Sequence, residues 1–151
     1  MNINYRYVQV YVDKNDNLLV IPTGKSKKIK NAIICIDIVN QLLIPYTDEE
    51  LENILRLAFS QCYSKEPDDT TNVSSLERYL NIRGYSKAVK NRKLILCEWD
   101  SDDGYYITPT KKIPQKGFVH QKDKIIKLGK VIEDGKLAKA FKEAVDLSVT
   151  Y

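Results

Sequence analysis

The sequence has a single histidine, only three cysteines, and no long uninterrupted apolar run. A Ser-His-Asp or Cys-His catalytic site would therefore have to be built around His120. Cys35, Cys62 and Cys97 lie far apart, and no pair has the Cys-x-x-Cys spacing found in zinc and redox sites. The longest apolar stretch, residues 32–44, is interrupted by polar residues and is shorter than the roughly 18 apolar residues of a membrane span. These shortages argue against an enzyme, a zinc protein or a membrane protein.

The residues that are present are typical of one globular domain. The chain has 151 residues and a formal charge of +4, and a domain of this length buries about 70% of its unfolded surface without needing a disulfide or a metal. We therefore expect a single domain over 1–151 and no cofactor. The odd cysteine count and the lack of an amino-terminal charged-then-apolar segment favour a cytoplasmic location.

The first third of the chain predicts a β-hairpin, a strand and a helix. The run of β-branched and aromatic residues over 5–12, an Asp/Asn-rich turn and the apolar run 18–21 indicate the hairpin. Residues 32–36 are continuously apolar, which predicts a strand buried on both faces. A Thr-x-x-Glu capping box starts a helix over 48–62, and its apolar stripe leaves Glu52 on the water-facing side.

This order of elements returns later in the chain. Laid over residues 8–25 at a constant offset of 87, residues 95–112 align a second Pro-Thr pair with the first (109 − 22 = 87). After one deletion the offset becomes 86, and the stripe of the first helix falls on a second helix over 134–147. We infer two pseudo-repeats, about 5–62 and 92–148, joined by 63–91. A second capping box within the joining segment starts a short helix over 74–82.

Together these patterns predict an α/β fold in the broad sense that includes α+β. We expect a central mixed, largely antiparallel sheet built from the two pseudo-repeated hairpin units and packed by amphipathic helices. The helices over 48–62 and 134–147 should pack as a related pair, with the short helix between the halves.

Acidic residues gather near predicted turns, where they are candidates for contacts with a partner. Asp100 to Gly104 begins like a calcium loop, but its glycine stands fifth rather than sixth and Lys111 occupies the place of the bidentate glutamate, so a hairpin turn is favoured and no metal site is expected. Tyrosine supplies a large contact area with few rotatable bonds. The candidate partner-binding residues are Glu98, Asp100, Asp102, Asp103, Asp68, Asp69 and Tyr105.

Short motifs spread over nearly the whole chain resemble one protein family. The segments are Leu19-Val20-Ile21-Pro22-Thr23, Asp48-Glu49-Glu50-Leu51, Ser75-Leu76-Glu77, Gly84-Tyr85-Ser86-Lys87, Tyr106-Ile107-Thr108-Pro109 and the closing helix over 137–144. They resemble the immunity proteins of contact-dependent growth inhibition systems. The resemblance implies a cytoplasmic, non-enzymatic protein that binds the carboxy-terminal domain of its cognate toxin, usually a nuclease, in a 1:1 complex and occludes the active site.

Lysine-rich loops leave a second function open. Basic residues concentrate in two segments and can neutralise phosphates, although lysines on solvated loops and edge strands are common and no nucleic-acid-binding signature accompanies them. The alternative to immunity is therefore a small nucleic-acid-binding or antitoxin-like regulator. It would use Lys25, Lys27, Lys28, Lys30, Lys111, Lys112, Lys116, Lys122, Lys124, Lys127 and Lys130.

Overall fold

A computed structural model describes residues 3–150. In chain order its strands and helices form two β-β-β-β-α series separated by two short helices. The strands are β1 (Tyr5–Val12), β2 (Leu18–Lys25), β3 (Ile33–Cys35), β4 (Asn40–Leu42), β5 (Lys93–Asp100), β6 (Gly104–Ile113), β7 (Gly117–His120) and β8 (Ile126–Gly129). The α-helices are α1 (Asp48–Gln61), α2 (Ser75–Leu80), α3 (Tyr85–Ala88) and α4 (Lys136–Leu147), and a 3-10 turn covers Lys122–Lys124.

One curled antiparallel sheet joins the two series. Its strand order is β3-β2-β1-β5-β6-β7, while β4 pairs with the start of β2 and β8 pairs with the start of β6. All pairings between these strands are antiparallel, and the helices pack on the sheet. The predicted α+β fold with a central, largely antiparallel sheet is confirmed.

The two halves of the sheet share a register. Val8 pairs with Pro22, and the residues 87 further on, Ile95 and Pro109, pair in the same way. In the central pairing of β1 with β5, Gln9 lies opposite Leu96, the residue 87 positions further on in the chain. Each of these two residues therefore pairs with its counterpart in the other half. The sheet therefore has an approximate twofold axis between β1 and β5. The repeat boundaries 5–62 and 92–148 stay a prediction, which this register supports.

One face of the sheet carries α1 and α4. Their buried residues meet those of β1, β2, β5 and β6 in an apolar cluster that includes Val8, Val10, Leu18, Val20, Leu51, Leu55, Ala58, Ile95, Cys97, Ile107, Leu137, Phe141 and Ala144. Full burial of each large side chain is worth about 1.5–3 kcal/mol. The two helices pack together as predicted, and Lys142 of α4 forms a salt bridge with Asp48 of α1.

Glu52 corrects the prediction for α1. Its side chain is buried, at 9% exposure, instead of facing water. The carboxylate accepts hydrogen bonds from the backbone N–H groups of Gly135 (3.2 Å) and Ala138 (2.9 Å). Helix α4 has no side-chain cap of its own, so α1 supplies the acceptor that the unpaired amides of its first turn require.

The opposite face is partly covered by the joining segment, 63–91, which contains α2 and α3. Leu76 of α2, with Ala88 and Val89 at the end of α3, packs on Tyr11, Leu19, Ile21, Leu94 and Leu96 of the sheet. The predicted capping box is present, because the Ser74 hydroxyl accepts from the Glu77 N–H at 3.2 Å and the Glu77 carboxylate accepts from the Ser74 N–H. The helix ends at Leu80 rather than residue 82, because Asn81 adopts a left-handed conformation with φ 53°.

The prediction that residues 32–36 form a strand buried on both faces was wrong. Only residues 33–35 are in β3, which lies at the edge of the sheet and is half-buried. The continuous apolar pattern could not distinguish an edge strand from a central one, because the joining segment, 63–91, shields one side of this edge. Cys35 packs against the cluster beneath α2, and the Ser75 hydroxyl donates to its carbonyl oxygen at 3.3 Å.

Candidate functional site

The face of the sheet that carries α2 and α3 also carries a row of tyrosines and carboxylates, of which only Tyr7 packs against the apolar cluster beneath these helices. In antiparallel strands, directly opposite residues point to the same side. Tyr7 of β1 lies opposite Glu98 of β5, which lies opposite Tyr106 of β6, and Tyr5 lies opposite Asp100. We call this surface the tyrosine–carboxylate face; it comprises Tyr5, Tyr7, Glu98, Asp100, Tyr106 and Thr108.

Glu98 lies at the centre of this face. It is 9% exposed, and its two carboxylate oxygens accept hydrogen bonds from the hydroxyls of Tyr5 (2.6 Å) and Thr108 (2.6 Å). Within residues 3–150 no cation forms a salt bridge with it. The rings of Tyr5 and Tyr7 are 5.8 Å apart. Glu98 therefore holds the Tyr5 ring in place and keeps a negative charge just below the surface.

The phenol groups around Glu98 stay protonated at neutral pH. Burial, and then the hydrogen bond to Glu98 and its charge, hold the pKa of Tyr5 far above its usual value. Burial and the charges of Glu98, Asp100 and Asp103 raise the pKa of Tyr106 to about 12. These tyrosines therefore present neutral O–H groups next to negative carboxylates.

The acidic turn between β5 and β6 borders the face. The Asp100 carboxylate accepts hydrogen bonds from the backbone N–H groups of Asp102 (3.0 Å) and Asp103 (2.6 Å). Asp100 pairs with Gly104 to close the hairpin, which confirms the predicted hairpin turn. Asp102 and Asp103 are exposed, so their charges face solvent.

Asp68 and Asp69 lie beside the same face. Together with Tyr7 they line a cavity of about 380 Å³ between the sheet and the joining segment. Asp69 accepts hydrogen bonds from the Ser26 hydroxyl (2.5 Å) and the Lys28 N–H (3.0 Å), and the Asp68 carboxylate accepts from the Thr70 hydroxyl (2.7 Å). These bonds lower the pKa of both carboxyls. Tyr7 therefore lies beside both groups of acids nominated from the sequence, because it lines this cavity and also lies opposite Glu98.

Tyr105 lies on the other side of the sheet. Its ring packs edge to face on Phe59 of α1, with the ring centres 5.2 Å apart, within the cluster beneath α1 and α4. Tyr106 occupies the tyrosine–carboxylate face instead. The register of the hairpin distinguishes Tyr105 from Tyr106, because the residue opposite Glu98 shares its face of the sheet. The sequence nomination included Tyr105 but not Tyr5, Tyr7 or Tyr106, because it followed proximity to acids along the chain rather than strand alternation.

The lysines do not form one surface. Lys25, Lys27, Lys30 and Lys65 line an open cavity of about 800 Å³, where Glu66 pairs with Lys27 at 2.8 Å. Lys112 is buried, and it donates a hydrogen bond to the Val89 carbonyl oxygen and lies 5.3 Å from the centre of the Phe118 ring. It therefore anchors the joining segment to β6. His120 is exposed at the end of β7, the edge strand.

The cysteines are unpaired thiols. Cys62 and Cys97 are buried, and burial raises the pKa of both thiols. Burial also raises the pKa of Cys35 to about 12. The reactive thiolate is therefore scarce at neutral pH.

The described part of the chain offers neither a cluster of metal ligands nor a membrane-spanning helix. Residues 3–150 contain no group of three or more His, Cys, Asp or Glu side chains placed to hold a metal ion. No helix within this range is both long enough and apolar enough to cross a membrane.

The fold is shared with two solved structures. One is a protein of unknown function, NMB0488 from Neisseria meningitidis, with a TM-score of 0.71 and 10% identity over 98% of this chain and 99% of that chain. The other is a chain of the CdiA-CT/CdiI toxin and immunity complex from Yersinia pseudotuberculosis, with a TM-score of 0.67 and 11% identity over 97% and 98% of the two chains. No family model matches the sequence, and no curated protein does so. At this identity the likeness shows a common fold along the full length.

Proposed function

We propose that this protein is an immunity protein that binds the carboxy-terminal toxin domain of a contact-dependent growth inhibition system and blocks its active site. The observation that carries the proposal is the full-length likeness to a chain of a toxin and immunity complex. A non-enzymatic role in the cytoplasm and a 1:1 complex are parts of the same proposal.

The surface of the molecule supports a binding role. Three half-buried tyrosines lie on one face of the sheet, and carboxylates with no salt-bridge partner within residues 3–150 lie beside them. Tyrosine is among the residues that contribute most to the energy of protein interfaces. Charge on the surrounding turn accelerates association with a partner of opposite sign and disfavours partners of like sign.

Co-expression with the neighbouring toxin domain tests the proposal. A neighbouring gene that encodes a large secreted protein would supply the toxin domain, which is induced in cells with or without this protein. We expect growth arrest by the toxin alone, rescue on co-expression, and co-purification as a 1:1 complex by light scattering. Growth arrest caused by this protein alone, or the absence of rescue and binding, would overturn the proposal.

The second candidate function is nucleic-acid binding, and the cavity lined by Lys25, Lys27, Lys30 and Lys65 is the surface that favours it. If the protein is a nucleic-acid-binding regulator, it should shift labelled single-stranded RNA or duplex DNA in a gel, with an affinity that falls steeply as salt is raised. Such a shift at physiological salt, together with a failure to rescue cells from the toxin, would favour the alternative.

A further inference from the structure

The twofold relation within the sheet pairs four residues of the tyrosine–carboxylate face with residues beneath the joining segment. At the offset of 87, Leu19 corresponds to Tyr106, Ile21 to Thr108, Tyr11 to Glu98, and Tyr7 to Leu94, and each pair holds the same place in the register. Four residues of one set, Tyr11, Leu19, Ile21 and Leu94, are buried in the cluster with Leu76, Ala88 and Val89 of the joining segment. The equivalent positions of the other half carry polar groups.

The equivalent half of the face has no helix over it in the described structure. Helices α1 and α4 pack on the opposite side of the sheet, and the cluster at α2 and α3 reaches Tyr7 only at its border. Tyr5 and Tyr106 belong to neither apolar cluster and are half-exposed. The sheet therefore offers two equivalent sites for a covering element, and the chain's own helices cover one of them.

We infer that the tyrosine–carboxylate face binds a basic surface segment of the toxin domain, which covers the sheet in the place equivalent to that of α2 and α3. This inference rests on the proposed function. The occupant must be basic because Glu98, Asp100, Asp102 and Asp103 lie on or beside this face without a salt-bridge partner within residues 3–150, while Lys127, opposite Tyr106, marks the far border.

The side chains of this face suit a partner that arrives from solution better than a permanent cover. Leucine and isoleucine on the covered half favour lasting burial, whereas tyrosine, glutamate and threonine remain compatible with water when the face is free. Tyrosine rings also attract the cationic groups of arginine and lysine. A nucleic acid would bring phosphates toward four carboxylates, so it is disfavoured on this face.

Matched variants separate this surface from a general charge effect. Affinity for the adjacent toxin domain is measured by titration calorimetry for Tyr106→Ala and for the pair Asp102→Lys/Asp103→Lys. The control for the first is Tyr79→Ala, an exposed tyrosine on α2, and the control for the second is Glu143→Lys/Asp146→Lys, two exposed acids of α4 on the other side of the sheet. We expect each face variant to weaken binding by about tenfold or more and the controls to bind like the parent.

A footprint on the unmodified protein avoids any dependence on the folding of a variant. Hydroxyl-radical oxidation of tyrosines is compared with and without the toxin domain, and we expect protection of Tyr5 and Tyr106 but not of Tyr79. Parent-like binding by both face variants, or equal protection of all three rings, would overturn the surface while leaving the proposed function intact. Absence of toxin binding by the parent protein would overturn both.

Discussion

The two halves of the outer sheet face have the same backbone and different chemistry. On the covered half, Leu19 and Ile21 are almost fully buried beneath α2 and α3. On the tyrosine–carboxylate face, Tyr106 takes the place of Leu19, and Glu98 takes that of Tyr11. The covered half thus stabilises the fold, and the open half keeps polar groups that a partner can use. One repeated framework can therefore separate stability from recognition.

The joining segment explains why only one half of this sheet face carries apolar side chains. An apolar surface exposed to water loses the free energy that burial would provide, at about 25 cal/mol per Å², and large exposed apolar patches promote aggregation. The joining segment, 63–91, removes this difficulty on one side only, so the uncovered side needs side chains that tolerate water.

The largest expected effect comes from truncating one residue of an equivalent pair. Leu19→Ala should lower the free energy of unfolding by about 2–5 kcal/mol, because it leaves a cavity beneath α2. Tyr106→Ala, at the equivalent position, should cost about 1 kcal/mol or less, because the ring is half-exposed and lies outside both clusters. Urea unfolding measures both values. Equal losses would show that the open half is as important for stability as the covered half.

Alkaline titration should distinguish Tyr11 of the covered half from Tyr106 of the open half. Burial raises the pKa of Tyr11 well above its ordinary value of about 10, and burial with nearby carboxylates raises that of Tyr106 to about 12. The folded state then holds more protons than the unfolded chain, so stability is full below about pH 10 and falls as pH rises above it. Phenolate absorbance and circular dichroism are followed together as pH rises, in the parent protein and in Tyr11→Phe. The phenolate signal that the variant lacks should appear in the parent only as the protein unfolds. Ionisation of all tyrosines near pH 10 in the folded protein would contradict this.

A smaller effect is expected at the start of the covering helix. Ser74→Ala removes the hydroxyl that accepts the Glu77 N–H and should cost about 1 kcal/mol. Thr47→Ala, the same change in the capping box of α1, is the matched control for global stability. Because α2 covers one half of the face, hydrogen exchange should rise in residues 75–89 for Ser74→Ala and not for Thr47→Ala. An equal rise in both variants would mean that the joining segment does not open independently of the rest of the fold.

Much of the framework was predictable from local pattern. Both capping boxes were read from Thr47 and Ser74, and the alignment of Pro22 with Pro109 gave the hairpin correspondence that the registers follow. These features depend on residues close in sequence. The role of Glu52 could not be found in the same way, because its partners, Gly135 and Ala138, lie more than eighty residues away. Helical periodicity alone placed it on the water side.

The candidate site was predictable only in part. Sequence charge identified Glu98 and the turn after it, but the burial of Glu98 depends on hydroxyls from Tyr5 and Thr108 on two neighbouring strands. Tyr105 and Tyr106 are adjacent in sequence and point to opposite faces, as successive residues of a strand must. Choosing between them requires the register with β5, which composition does not provide.

The hydrogen bonds from Gly135 and Ala138 to Glu52 also limit how the chain can be divided. A fragment that contains only the second series of strands and α4 lacks the acceptor for the first turn of its helix, since that acceptor belongs to α1. Cutting the chain within 63–91 and separating the pieces should therefore leave α4 frayed at its amino end. The halves resemble each other in register, yet the second half is incomplete as an independent folding unit.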